Sequence, residues 1–366
     1  MRIGLSKLLP KAEKPTISYE ECIAQLGVIS TECEAISSKH EQAKTFNTLK
    51  ATIQKFGIES SVVQMFGAEF KECGISLETD DTDLIKTQVA MAEEGVLDTV
   101  KNAISSLIAK IINFIKSFLP AAKEKGDKAA SELAKVPAAK QAEAMAKDPN
   151  EHELVPYAVA KDAITRIPDL ILTAEHMIES ISAPCKKDGL ALKNDAAFLV
   201  NVSKSIVMFE ETVKKFECKA ESGTLAKLGY KGDEVNKLVL EANKNMEAMR
   251  KLETMLVPLS ANLETLNKTI EAASKKSENG DGSDNDDSIV RVSKQLSGLA
   301  GKTVHLVGTL VKNIQFACSM PWKVADIIVA NASKMDKPVE TAKKDIGDQN
   351  KPSAGARDFH ANPTNS

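Results

Sequence analysis

Three observations predict an all-α fold, an elongated bundle with long heptad-patterned antiparallel helices and a smaller helical N-terminal domain. First, Ala, Lys, Glu, Leu and Ile dominate the 366 residues, aromatic residues make up only 4%, and there are 18 Gly and 13 Pro; that balance favours helix over sheet. Second, nearly every segment reads with helical period, apolar residues recurring at spacings of three and four. Third, the strongest period is a heptad seam over residues 232–277, sustained for more than five repeats.

Ser18 opens the first helix. In SYEECIAQLGVISTECEAI, Glu21 stands three residues on, which is the form of a capping box. Shorter helical pieces follow near 42–56, 59–73 and 80–94, broken at Gly57 and Gly74. Residues 1–94 make up the N-terminal domain, and 95–125 an amphipathic helix. Residues 126–153 are alanine- and lysine-rich, weakly apolar and interrupted by Pro137, the composition of a mobile connector. The bundle proper spans 154–345, and its first helix, 154–182, is expected to kink at Pro168. Leu192, Leu199, Val202, Ile206, Phe209, Val213 and Phe216 mark a third bundle helix within 190–217. The main seam consists of Val235, Leu238, Ala242, Asn245, Met249, Leu252, Leu256, Leu259, Leu263, Leu266, Ile270 and Ala273; it is crossed by Pro258 and would run to about 70 Å. After the acidic loop 278–287 the pattern resumes with Ile289, Val292, Leu296, Leu299, Thr303, Leu306 and Leu310, so 232–277 and 288–317 read as an antiparallel hairpin. Residues 346–366 are polar and turn-forming, a disordered tail.

Net charge and arginine usage narrow the partners. The formal net charge is −3, and Arg2, Arg166, Arg250, Arg291 and Arg357 are the only arginines. Reading bases or forking phosphates calls on arginine's planar donors, so sequence-specific nucleic-acid binding is not expected. Six cysteines without a CxxC read as free, mostly buried thiols of a reducing compartment. MRIGLSKLLPKAEK lacks the apolar run of a secretory signal. No window reaches about 18 uninterrupted apolar residues, so no membrane span is expected.

Motifs that would carry catalysis fail on spacing. SGLAGKT (297–303) looks like a phosphate loop, but the position five before Gly301 is Leu296 where that loop needs glycine. The heptad period also runs through it, so small residues for close helix packing explain it better. A calcium loop starting at Asp281 would need glycine sixth and glutamate twelfth; the chain offers Asp286 and Val292. The five histidines form no HExxH and no ExxH. No enzyme activity, cofactor or metal is expected.

Residues 95–119, GVLDTVKNAISSLIAKIINFIKSFL, hold the remaining signal. One face carries Leu97, Val100, Ile104, Leu107, Ile108, Ile111, Ile115 and Phe118. The other carries Asp98, Asn102, Ser105, Ser106, Lys110, Asn113, Lys116 and Ser117. A wide apolar face with lysines and one acid suits a membrane interface, and a bundle helix shows the same moment; periodicity does not choose between a membrane and a protein partner. A charge step coincides with its start. Residues 1–94 carry 10 Lys and Arg against 15 Asp and Glu, net −5, and the rest 38 against 36, net +2. An acidic leader followed by such a helix reads as a pro-segment masking a sticky surface.

In AEE/GVLDTVKNAISSLIAKIINFIKSFLP the chain resembles the internal virion (internal head) proteins of large tailed bacteriophages, over roughly residues 1–120. The resemblance implies cleavage by a capsid maturation protease after Glu in a Ser/Ala/Gly-x-Glu motif, met by Ala92, Glu93 and Glu94 with Gly95 as the new N-terminus. Ser18-Tyr19-Glu20, Gly57-Ile58-Glu59, Ser76-Leu77-Glu78, Ala122-Lys123-Glu124 and Gly232-Asp233-Glu234 match the motif too; position favours Glu94. It further implies a non-enzymatic protein made in the host cytoplasm and packaged into the prohead through its N-terminal region. Capsid or scaffold proteins and the protease would be its partners, and the remainder would stay with the genome inside the head until ejection into the host. Oligomers through the heptad helices fit the same reading. The rivals are an α-helical pore-forming toxin-like protein and an unprocessed coiled-coil scaffold.

Overall fold

A computed structural model describes residues 17–56, 82–186, 196–278 and 284–335. Its elements are α1 (Tyr19–Phe56), α2 (Thr82–Ala134), α3 (Ala138–Ala146), β1 (His152–Leu154), α4 (Tyr157–Cys185), α5 (Ala196–Lys215), β2 (Glu221–Gly223), α6 (Gly232–Met246), α7 (Met249–Glu278) and α8 (Asp284–Met335). The described chain is almost wholly helical. The strands among the described residues form an antiparallel ladder in which His152, Glu153 and Leu154 pair with Gly223, Ser222 and Glu221.

The capping box expected at Ser18 is present: Ser18 N–H donates to Glu21 Oε2 at 2.7 Å, and Glu21 N–H donates to Ser18 Oγ at 3.2 Å. From there α1 runs unbroken to Phe56, taking in the separate piece expected at 42–56. The pieces at 59–73 and the tail at 346–366 lie outside the described residues. The piece at 80–94 and the helix at 95–125 are one element, because α2 continues across Gly95 and carries Pro120 within it.

Residues 126–153 depart from the expected mobile connector. They comprise the end of α2, all of α3 and the start of β1, with Ala129, Leu133, Ala144 and Met145 buried. Alanine is small enough to pack closely without a strong apolar signature, which is why composition understated the packing. Pro137 ends α2 and removes the N–H that would have bonded to the Leu133 carbonyl. Val136 N–H donates there at 3.1 Å, and Gln141 Nε2 adds a bond at 3.0 Å, with a second to the Val136 carbonyl at 2.8 Å.

A similar substitution of partners occurs at Pro168 inside α4. The Ile164 carbonyl loses its helical donor and accepts Asn245 Nδ2 at 2.8 Å. Asn245, the polar member of the main seam, thus has a partner, while the seam's apolar members are all buried. The expected 232–277 helix is divided after Met246. Ala248 N–H donates to the Asn245 carbonyl and Arg250 N–H to the Glu247 carbonyl, both at 3.1 Å, a tighter turn that redirects the chain into α7. Pro258, the expected interruption, sits inside α7 without ending it.

α8 runs antiparallel to α6 and α7. Cys318 and Trp322 lie against Ala242 and Asn243, Trp322 Nε1 donating to Asn243 Oδ1 at 2.9 Å, while the two limbs meet between Glu278 and Asp284. It packs against every other helix of the described chain. α5 starts at Ala196 and packs on α4 and α8. The buried side chains form one continuous core, which includes Cys22, Leu26, Ile29, Cys33 and Ile36 of α1. The described part of the N-terminal region is therefore built into the bundle and not appended to it.

Candidate functional site

The apolar face of α2 is roofed by α1 and floored by α8. Ile104, Leu107, Ile108, Ile111, Ile115 and Phe118 are each at most 2% exposed. The side chains of Leu97 and Val100 lie outside the described residues. Ile112, Phe114 and Leu119 are buried as well. Sequence reading did not place them on the face, since a helix packed from several sides buries more than one stripe. Asn102, Ser106, Asn113 and Lys116 point outward as expected.

Aromatic rings close one end of the face. Phe114 and Phe118 stack with centroids 5.0 Å apart, Tyr19 of α1 meets Phe118 at 5.9 Å, and the same Tyr19 ring stands edge-on to Trp322 at 5.7 Å. Toward the other end, α8 admits its neighbours through two glycines one heptad apart. A Cβ on Gly301 would sit 2.9 Å from Ile104 Cδ1, and one on Gly308 only 2.7 Å from Cys33 Sγ. Gly301 of SGLAGKT therefore serves helix approach, as its placement within the seam implied.

Polar bonds along the edges tie α1 down. Gln315 Nε2 donates to Tyr19 Oη at 3.0 Å, Lys312 Nζ to Ser30 Oγ at 3.0 Å, and His305 Nδ1 to the Cys33 carbonyl at 3.0 Å. Lys110 of α2 pairs with Glu32 of α1. These bonds fix the register of a helix whose hold is mainly apolar.

Beside them lies a cavity of about 360 Å³ between α1, α5 and α8. Glu210 takes hydrogen bonds from Lys214 at 2.8 Å and Lys302 at 2.7 Å, which hold its carboxyl down at about 2. Burial lowers His305 below its ordinary value, against the opposing pull of the Cys33 carbonyl, Glu210 and Glu34. Burial pushes the Cys33 thiol up to about 12. A thiol kept protonated is no nucleophile, and His305 spends its Nδ1 on the Cys33 backbone, so this Cys and His do not form a nucleophile–base pair. Among the described residues no group of three or more His, Cys, Asp or Glu is placed to hold a metal ion.

The candidate processing site, Ala92, Glu93, Glu94 and Gly95, lies within the α2 backbone helix; the side chains of these four are outside the described residues. Glu20, Glu124 and Glu234, which match the same motif, are also helical. A protease reading an extended peptide at any of them has to unwind helix first.

Asn102–Ala134 holds an 18-residue stretch that passes for a membrane span by length and composition alone, a test that a buried core helix also passes, and 44% of that stretch is buried. No known protein family, curated protein or solved structure matches this chain.

Proposed function

We propose that this chain is a non-enzymatic internal head protein of a tailed phage, its leader a removable cover over α2. It enters the prohead through its N-terminal region, alongside capsid and scaffold proteins, and is cut after Glu94 by the maturation protease. The remainder, an elongated heptad-patterned bundle, stays with the genome and is ejected with it. One observation carries this reading: the roof of α2's apolar face is α1, which belongs to the acidic leader. A cut at Glu94 falls within α2; it severs the roof, with residues 82–94, from the face while leaving residues 95–134 of α2 joined to the bundle. Loss of α1 also takes Glu32 away from Lys110, freeing a cation at the margin of the exposed apolar strip. Apolar strip plus marginal lysines is the composition that settles at a lipid interface.

Intact-mass analysis and N-terminal sequencing of the protein from its native source test the cut. The reading predicts a species beginning at Gly95 that disappears in Glu94→Gln. A single uncut chain would remove it.

A second reading, an α-helical pore-forming protein, is favoured by the length and hydropathy of Asn102–Ala134. It predicts leakage of liposomes by the uncut chain, in proportion to its concentration, where the cover reading predicts none.

A further inference from the structure

The outward face of α5 carries a run of apolar side chains that the described residues leave largely exposed. Val200 is 55%, Val207 48% and Met208 70% exposed, three of the eight large apolar side chains that are exposed among the described residues. Such residues scattered singly need no explanation, but three on one face of a 20-residue helix form a patch. The inner face, Leu199, Val202, Ile206, Phe209, Val213 and Phe216, is buried against α4 and α8. By the helical period, Val200, Lys204, Val207, Met208, Glu211 and Lys215 share the opposite face.

Charge along that face selects the occupant. Lys204 lies one turn before the Val207–Met208 pair and Glu211 one turn after it; both are exposed, and neither makes an ion pair among the described residues. Laid parallel against a copy of itself, the strip sets lysine against lysine and glutamate against glutamate. Laid antiparallel, it sets each Lys204 against the other copy's Glu211, Met208 against Val207, and Val200 against the aliphatic stem of Lys215.

We propose that α5 pairs antiparallel with the α5 of a second copy, about a two-fold axis through Val207 and Met208. The contact is isologous and self-complementary, the commonest form of homodimer. One helix per copy gives an interface below standard size, so the dimer is reversible and concentration-dependent. The contact lies on the outward side of α5, so it does not require cleavage at Glu94.

Sedimentation velocity of the full chain over a range of concentrations tests the pairing. Wild type is expected to pass from monomer to dimer as concentration rises, and Met208→Lys to remain monomeric. By symmetry each charge reversal touches two pairs. Lys204→Glu alone and Glu211→Lys alone should each weaken the dimer by about five- to tenfold, and the double reversal should return it to near wild type. All these side chains are exposed, and unchanged helical circular dichroism would confirm that the variants fold. A monomer at every concentration, a dimer indifferent to Met208→Lys, or a double reversal no tighter than the single ones would each overturn the proposal.

Discussion

Gly308 sits where α8 meets the Cys33 thiol and the Ile111 side chain, 2.7 and 3.4 Å from where its Cβ would be. Gly308→Val is expected to destabilise the fold by about 1–3 kcal/mol through overpacking, read as a lower urea midpoint, and Cys33→Ala should recover part of that loss. His305 makes docking of α1 sensitive to pH. Its pKa in place lies below its ordinary value of 6.5 because burial disfavours the charged ring, so a displaced α1 leaves a histidine that binds protons more readily. Docking is therefore strongest above pH 6.5 and weakens as pH falls toward the lowered value, by at most about tenfold per pH unit. The charged groups that line the cavity with the ring are Glu34 on α1, Glu210 and Lys214 on α5, Glu217 just beyond its end, and Lys302 and Lys312 on α8. Glu210, held at about 2, stays charged throughout that range. Trp322, the only tryptophan in the chain, reports the change through its contact with Tyr19; its emission should shift with pH in wild type and much less in His305→Gln.

At the scale of elements, α2 is held by apolar packing, and the carbonyls left by Pro137 and Pro168 take side-chain donors from Gln141 and Asn245. Ile111→Ala is expected to cost about 2–5 kcal/mol, and Asn245→Ala about 1–3 kcal/mol, because it strips the Ile164 carbonyl of its donor; thermal unfolding distinguishes both from wild type. Much of this level was legible in the sequence. The Ser18–Glu21 cap is a local pattern, and the seam from Val235 to Ala273 showed which positions are buried. The break after Met246 was not legible, because Pro258 is the stronger local breaker and no glycine or proline marks residues 246–249. Nor was the ladder between His152–Leu154 and Glu221–Gly223, whose strands of three residues are too short to show alternation.

For the molecule as a whole, the apolar face of α2 was legible from its period, but not what covers it. The bond from His305 to Cys33 joins residues 272 apart in sequence, and no local pattern encodes such a meeting. The charge step at Glu94 pointed to a masking leader, and the described fold puts α1 of that leader over Ile104, Ile111 and Phe118. If the leader is a cover, its removal must change what the remainder binds. The direct measurement is co-flotation with anionic phospholipid vesicles of the uncut chain and of the Gly95–Ser366 product freed of its leader. The account predicts that the product floats with the vesicles and the uncut chain stays behind, and that Ile108→Asp in the product abolishes flotation. Equal behaviour of the two forms, whether both bind or neither does, would contradict it.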